Sequence, residues 1–422
     1  MTPFYRMKLR GITRSEWRRR AVLLAAIVWR RLLFRTMFIA ITGSVGKTTG
    51  KEMLAAMLSS HAPTLATSGT SNTTINVAQT ILRARPWHRF VVVEVGTDSP
   101  GWIRRSASIL HPDVAVILNV GRTHTDRFLS LDDTALEKAA LLQGLRRNGV
   151  AILNQDDSRV AAMGGETLRR RMVWFGRGRQ ANVSATHVSA IWPQRLSLTL
   201  RVGNRSQRVE TRLVGEHWTS SLLGAAAAAL ECGVSLQEIA EALPRVNPFP
   251  ARLDPRELPS GAIILRDDFN GSIESFVPAF KVLREAHAAR KILAITTVSD
   301  SQETWDKRLR RIACDAAQVV DHLILVGTKD DAKRAAKKVI ASGFPSEGLH
   351  CFATSADAAK FLLAFLRAGD LLLLRGRISD HMGRLYHAQI NSVQCWLEYC
   401  PKMILCEQCP ELFRKPRRAD SP

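Results

Sequence analysis

From Met37 onward the chain alternates short, unbroken apolar runs with longer segments of mixed character. "MFIAIT", "FVVVEVG", "VAVILNVG" and "GVAILN" have the composition of strands buried on both faces of a parallel sheet. The intervening "KEMLAAMLSSH" and "TALEKAALLQGLRR" read as helices. Strands and helices in this alternation predict a doubly wound α/β domain. Between Asn182 and Val214, alternating stretches such as "RLSLTLRV" predict a small antiparallel patch, and an alanine-rich helix follows at "SSLLGAAAAALECG". The proline-rich "PRVNPFPARLDP" reads as a linker. After it "AIILRDD", "KILAITTV", "HLILVG" and "DLLLLRG" predict a second, smaller Rossmann-like α/β domain. The expected division is a basic amphipathic segment over 1–36, a central nucleotide-binding domain over 37–246, a second domain over 247–386 and a cysteine-rich tail over 387–422.

The first segment departs from this pattern. Arginines surround the run "AVLLAAIVW", and Trp17, Leu23, Leu24, Ile27, Trp29 and Leu32 are spaced for one helical face. Nine residues are too few to span a bilayer, which needs roughly 20. Arg30 and Arg31 follow directly with no small-residue cleavage site, so a secretory leader is not expected. A helix lying on an anionic membrane and a helix docked on its own domain both remain open. Over the whole chain, 60 Lys and Arg against 38 Asp and Glu leave a formal charge of +22. That excess favours a polyanionic partner: nucleic acid, an anionic membrane or a phosphorylated substrate.

"FIAITGSVGKTT" contains the parts of a phosphate cradle: a buried strand, a glycine turn and the start of a helix. Gly43, Ser44, Val45, Gly46, Lys47, Thr48 and Thr49 form the candidate loop; Lys47 reaches terminal phosphates and Thr48 offers a hydroxyl to magnesium. Only two residues separate Gly43 from Gly46, where the common loop has four before its Gly-Lys. Glu94, at the end of an apolar run, is costly unless something ionic compensates it, which makes it a metal candidate.

In this compact Thr-Gly-Ser-x-Gly-Lys-Thr form the chain resembles the Mur ligases, ATP-dependent amide ligases, and within them the branch that adds D-alanyl-D-alanine to the muramyl tripeptide. The resemblance runs from about residue 37 to residue 385. "TSNTTINVAQTIL" is similar to the family's Asn-rich segment, with Asn72 retained as a substrate-side residue. "VVVEVGTDSPGWI" resembles the strand whose glutamate, here Glu94, ligates magnesium. "ILNVGRTHTDRFLS" resembles the segment with a metal-ligating histidine, here His124, and Lys138 stands at the position carbamylated in many members. Ala140 departs from the pattern, since a glutamate often follows that lysine. Asn154, His217 and Arg252 match nucleotide-side positions, although Trp218 and Ser221 replace two asparagines. Asp267 and Asn270 match a segment that approaches the nucleotide when domains close. Arg375 and Arg377 stand where a lysine and a serine are usual; binding an acidic substrate and lying in solvent are both open to them. The resemblance implies catalysis by Lys47, Lys138 and His124, with ATP and Mg2+ on Thr48, Glu94, His124 and carbamylated Lys138.

The implied reaction activates a carboxylate as an acyl phosphate, which an amine then attacks, in cell-wall or surface-polymer synthesis. Peptidoglycan ligases carry a front domain for a UDP-sugar, and the 36 residues before the first strand do not accommodate one. A lipid-linked, polymeric or otherwise nonstandard acceptor is therefore expected, as is peripheral contact of the basic N-terminus with a membrane in an otherwise cytoplasmic protein. A ligase of capsule or poly-amino-acid synthesis is one alternative, and a nucleotide-dependent nucleic-acid-binding protein the other; no nucleic-acid module is recognised, so no specific nucleic acid is expected. Cys395, Cys400, Cys406 and Cys409 fall within 15 residues. A structural Zn2+, free cysteines packed beside Trp396 and Leu397, and a redox pair are the competing readings.

Overall fold

Alternation along β1 (Met37–Thr42) divides its side chains between two cores. Ile39 and Ile41 enter one, Phe38 and Ala40 the other. The same division holds for β3 (Phe90–Glu94) and β4 (Val114–Ile117), whose residues are buried throughout. Strands apolar on both faces need helices on both faces. The computed structural model, which describes residues 14–122, 127–166, 171–296, 305–327 and 329–414, supplies them. The remaining elements of the first unit are α1 (Arg14–Leu32), α2 (Lys47–Ser59), β2 (Thr64–Ala66), α3 (Thr74–Arg83), α4 (Trp102–Leu110), α5 (Leu131–Gln143), β5 (Val150–Asn154), α6 (Ser158–Glu166), β6 (Arg171–Gly176), β7 (Val183–Ser189), β8 (Ser197–Val202), β9 (Arg205–Glu210), α7 (Thr219–Glu231) and α8 (Leu236–Ala242). The strands form one nine-stranded sheet in the order β2-β3-β1-β4-β5-β6-β7-β8-β9. The antiparallel patch is thus the far edge of the main sheet, with β7 parallel to β6 and antiparallel to β8.

The second unit is a six-stranded sheet in the order β10-β11-β15-β12-β13-β14. Four strands match the apolar runs: β11 (Ile263–Asp267), β12 (Arg290–Ile295), β13 (His322–Val326) and β15 (Asp370–Arg375). The other two, β10 (Asp254–Glu257) and β14 (Leu349–Phe352), are short edge strands without an apolar run to mark them. Facing residues again split between two cores, Leu265, Leu293 and Leu373 on one side and Ile264, Ile292 and Leu372 on the other.

α1 packs on α3 and α4, but the face that docks is not the predicted one. Ala26, Arg30 and Leu33 are buried and Leu23, Ile27 and Trp29 half-buried, whereas Trp17, Leu24 and Leu32 point outward at 60% exposure or more. The six residues assigned to one face belong to two, because at 100° per residue this helix is apolar around most of its circumference. Docking is fixed by polar contacts. Arg30 Nε donates to Leu110 O at 2.7 Å, its Nη2 pairs with Asp113 at 3.0 Å, and Trp29 Nε1 donates to Ala84 O at 2.9 Å. Among the described residues no helix is long and apolar enough to cross a membrane.

Candidate active site

The chain leaves β1 beside the C-terminal ends of β3 and β4, where the strand order reverses, and such a switch point opens a crevice. There Gly46 adopts φ +81 and caps α2 without a side-chain bond, leaving first-turn amides free for an anion. A Cβ at Gly46 would lie 2.1 Å from Ser221 Oγ of α7, so the loop turns against that helix only with glycine. Lys47 Nζ curls back to Gly43 O at 2.8 Å and Ser44 O at 3.2 Å. Burial pushes its ammonium below the ordinary lysine range, and nearby Glu94 opposes the shift.

Glu94 is 1% exposed. Its Oε2 accepts from Thr48 Oγ1 at 3.0 Å and its Oε1 from Asn72 Nδ2 at 2.9 Å. A buried carboxylate held by a hydroxyl and an amide, with no ion pair among the described residues, presents hard oxygen donors of the kind magnesium takes. The donor set therefore fits a divalent ion between Thr48 and Glu94. His124 lies outside the described residues.

These groups line a cavity of about 510 Å³ closed on its far side by the second unit, through Arg252, Asp267, Phe269, Asn270 and Glu274. Arg252 projects into it over the rings of Phe249 and Phe269, 5.7 and 4.8 Å from their centroids. Its Nε is buried without a hydrogen-bond partner. Burial lowers the Arg252 pKa while Glu94 raises it. His217 also lines the cavity, its ring centroid 4.5 Å from that of Trp218. Burial, aided by Arg375, holds His217 neutral by lowering its pKa to about 3.

Lys138, on α5, is 2% exposed and has no hydrogen-bond or ion-pair partner among the described residues. Burial first and Lys47 second push its amine down to about 7, with Glu137, Glu274 and Asp157 opposing. Its neighbour Glu137 is committed elsewhere, accepting from Gly101 N and Ile103 N at 2.6 and 2.7 Å. Ala140 is packed in the apolar core.

Several expected site residues are placed otherwise. The amides of Ser44 and Val45 both donate to Asn119 Oδ1, at 2.9 and 3.0 Å, so they brace the loop. Gly43 and Thr49 lie outside the cavity lining. Asn154 donates to Leu118 O and Ser220 Oγ and accepts from Asp156 N, fastening strand ends together away from the cavity. Arg375 is not free for a substrate. It is 1% exposed and bonded to Asp267 and Ser275, since a buried guanidinium needs a counter-ion. Arg377 pairs with Asp380 at 3.1 Å. Asn119 and Glu274 were not anticipated. Asn119 is signalled by a polar residue at the end of a buried strand; Glu274, whose carboxylate meets the backbone of Gly121 and Arg122 across the cleft, has no local signal.

The zinc expectation is also corrected. All four tail cysteines and His381 line one small cavity, yet among the described residues no three metal-binding side chains converge. Cys406 bonds His381 Nδ1 at 3.5 Å, and burial raises its thiol pKa to about 11. The tail is fastened instead by Glu407, which pairs with buried Arg266 at 2.8 Å and with His387 at 3.3 Å.

A family model described as the Mur ligase middle domain matches residues 41–229, and one described as the Mur ligase, glutamate ligase domain matches residues 251–378. Over 313 residues the chain is 30% identical to the UDP-N-acetylmuramoyl-tripeptide--D-alanyl-D-alanine ligase of Escherichia coli (strain K12), covering 74% of this chain and 69% of that one. Against the enzyme of that name from Mycobacterium tuberculosis (strain ATCC 25618 / H37Rv), identity is 28% over 377 residues, covering 85% and 73%. Among solved structures, MurF from Acinetobacter baumannii superposes with a TM-score of 0.79 at 29% identity, covering 87% of this chain and 79% of that one.

Proposed function

Because the chain belongs to the Mur ligase family and is an ATP-dependent ligase that forms peptide bonds in cell-wall synthesis, we propose that the cavity between its two units is where a carboxylate is activated. The observation that carries this reading is the Arg252 guanidinium, which lies over two phenylalanine rings with its buried Nε unbonded, in the cavity lined by Lys47, Thr48 and Glu94. In this reading the amides at the start of α2 and Lys47 hold the triphosphate, and Arg252 offsets its charge from the opposite wall. Neutral His217 beside Trp218 borders the base and ribose. A substrate carboxylate oxygen attacks the γ-phosphorus, the bond to the β-phosphate oxygen breaks, and ADP leaves an acyl phosphate. An amine then attacks the acyl carbon, loses a proton and expels inorganic phosphate. Magnesium held by Thr48 and Glu94 would supply charge neutralisation between the two anions. The other residues act by positioning and by fixed electrostatics.

The named relatives join an N-acetylmuramoyl tripeptide to D-alanyl-D-alanine. The substrates proposed here are of that chemistry: a peptide carboxylate and the amine of a short peptide. Arg252→Met is expected to weaken ATP binding about tenfold, the worth of one charge-assisted contact, with the fold retained. Competition with a fluorescent ATP analogue checks this, and unchanged affinity contradicts it.

Lys138 is proposed to carry a carbamate. Its buried, partnerless amine is pushed towards neutrality, and the neutral form is the one that attacks CO2. The sign follows: a carbamate carbon resonance in 13C-bicarbonate should grow as pH rises through about 7 and fade below it. It should be missing from Lys138→Ala. A resonance that persists in that variant assigns the carbamate elsewhere.

A membrane contact is favoured by α1, which exposes Trp17, Leu24, Val28 and Leu32, with Phe34 just beyond, between outward arginines. Co-sedimentation with phosphatidylglycerol vesicles should exceed that with phosphatidylcholine vesicles and fall at least about fivefold in Leu24→Glu/Leu32→Glu. Equal sedimentation of the two proteins rules the contact out.

A further inference from the structure

α1 and the turn that begins α3 enclose a second cavity, of about 280 Å³, whose lining includes Arg19, Arg20, Arg105, Thr73, Thr74 and Trp102. Its α1 wall precedes the first residue matched by the family models. Three guanidiniums line it against one carboxylate, that of Glu16, an excess of two positive charges. None of the three arginines has an ion-pair partner among the described residues. Like charges gathered around a concavity raise its potential and concentrate anions there. α3 begins at this wall, capped by Thr73 and Asn76, and the positive end of its dipole at Thr74 and Ile75 adds to the potential.

The position of this cavity gives the excess charge a use. Asn72 lines the nucleotide cavity and the next residue, Thr73, lines this one; Asp98 lines the nucleotide cavity and Trp102, four residues on, lines this one. The two spaces therefore share the Asn72–Thr73 segment as a common boundary. A molecule anchored at the arginines and extending past Thr73 would bring another of its groups towards Asn72.

We propose that the Arg19–Arg20–Arg105 cavity binds an anionic group of the acid substrate, a phosphate or a second carboxylate, at a distance from the carboxyl that is activated. The proposal rests on the ligase reading of the neighbouring cavity. It makes these arginines binding and specificity residues, with no part in phosphoryl transfer. An acid with a second anion is favoured over a simple monoacid, and the preference appears in KM and not in kcat.

The test is titration calorimetry of the full chain at low salt, without nucleotide, using triglutamate and inorganic pyrophosphate as separate probes. Wild type and Arg19→Gln/Arg20→Gln/Arg105→Gln are compared, with Thr74→Glu as a second variant that places an acid in the cavity. The three arginines are exposed and Thr74 begins a helix, and circular dichroism checks that each variant is folded. Wild type should bind at least one probe at a site where both variants bind at least about tenfold more weakly. Loss for triglutamate assigns the site to carboxylates, and loss for pyrophosphate to phosphates. Pyrophosphate held by the phosphate loop is displaced by ADP in all three proteins and is subtracted on that basis. Equal binding of both probes to wild type and variants overturns the proposal, as does binding of neither outside the phosphate loop. Failure of ADP to bind wild type overturns the ligase reading instead, and the triglutamate comparison still reports on this cavity.

Discussion

Glu94→Gln is expected to lower ADP formation by about 10²–10³-fold while the melting temperature stays level or rises. Glu94 is buried at the end of β3, and its two oxygens accept only from the neutral groups of Thr48 and Asn72. A buried charge without an ion pair costs stability. Glutamine keeps the shape and one acceptor, and the Thr48 hydroxyl can turn to accept from the new amide. What the substitution removes is the negative charge suited to a divalent ion. A residue kept for packing would lose stability on replacement; a residue kept for chemistry loses activity alone. Steady-state ADP release and a thermal melt on one preparation separate the two. Lost stability with retained activity would assign Glu94 to the fold.

Lys47→Ala is expected to lower ADP formation by at least about 10³-fold, again with the fold intact. The Nζ rests on two carbonyls of its own loop, a position from which it swings to a phosphate. The loop does not depend on it, because Asn119 holds the Ser44 and Val45 amides and Ser44 Oγ bonds the Gly121 backbone. Lys47→Arg should not restore the rate, since a planar fork does not replace a compact ammonium in a space this confined. Single-turnover kinetics with enzyme in excess over ATP check both variants; a rate within tenfold of wild type in Lys47→Ala would remove the lysine from the chemistry.

The reach of sequence reasoning here follows burial. β1, β3 and β4 were legible because strands covered on both faces read as continuous apolar runs, and the loop was legible because a short glycine spacing between strand and helix has few other uses. β10 and β14 were not, because edge strands bury little. Nor was the docked face of α1, whose apolar residues surround the helix, so that Arg30 and its partner Asp113 decide the orientation. Arg375 looked available because its partner Asp267 is more than a hundred positions away in sequence, and only register between β11 and β15 brings the two together. The four cysteines show thiol spacing in the sequence but not the side-chain placement that decides whether three ligands converge on one ion, and among the described residues none do.

The central claim is that this cavity couples ATP cleavage to joining an acid and an amine, and the direct measurement is ADP release against a matrix of both. Peptide carboxylates, including muramyl tripeptide precursors, are crossed with amines including D-alanyl-D-alanine, and each pair is run with wild type and with Lys47→Ala. The account predicts that an acid and an amine together raise turnover well above either alone, and that Lys47→Ala abolishes the increase. Turnover indifferent to every pair but raised by DNA or RNA would contradict it.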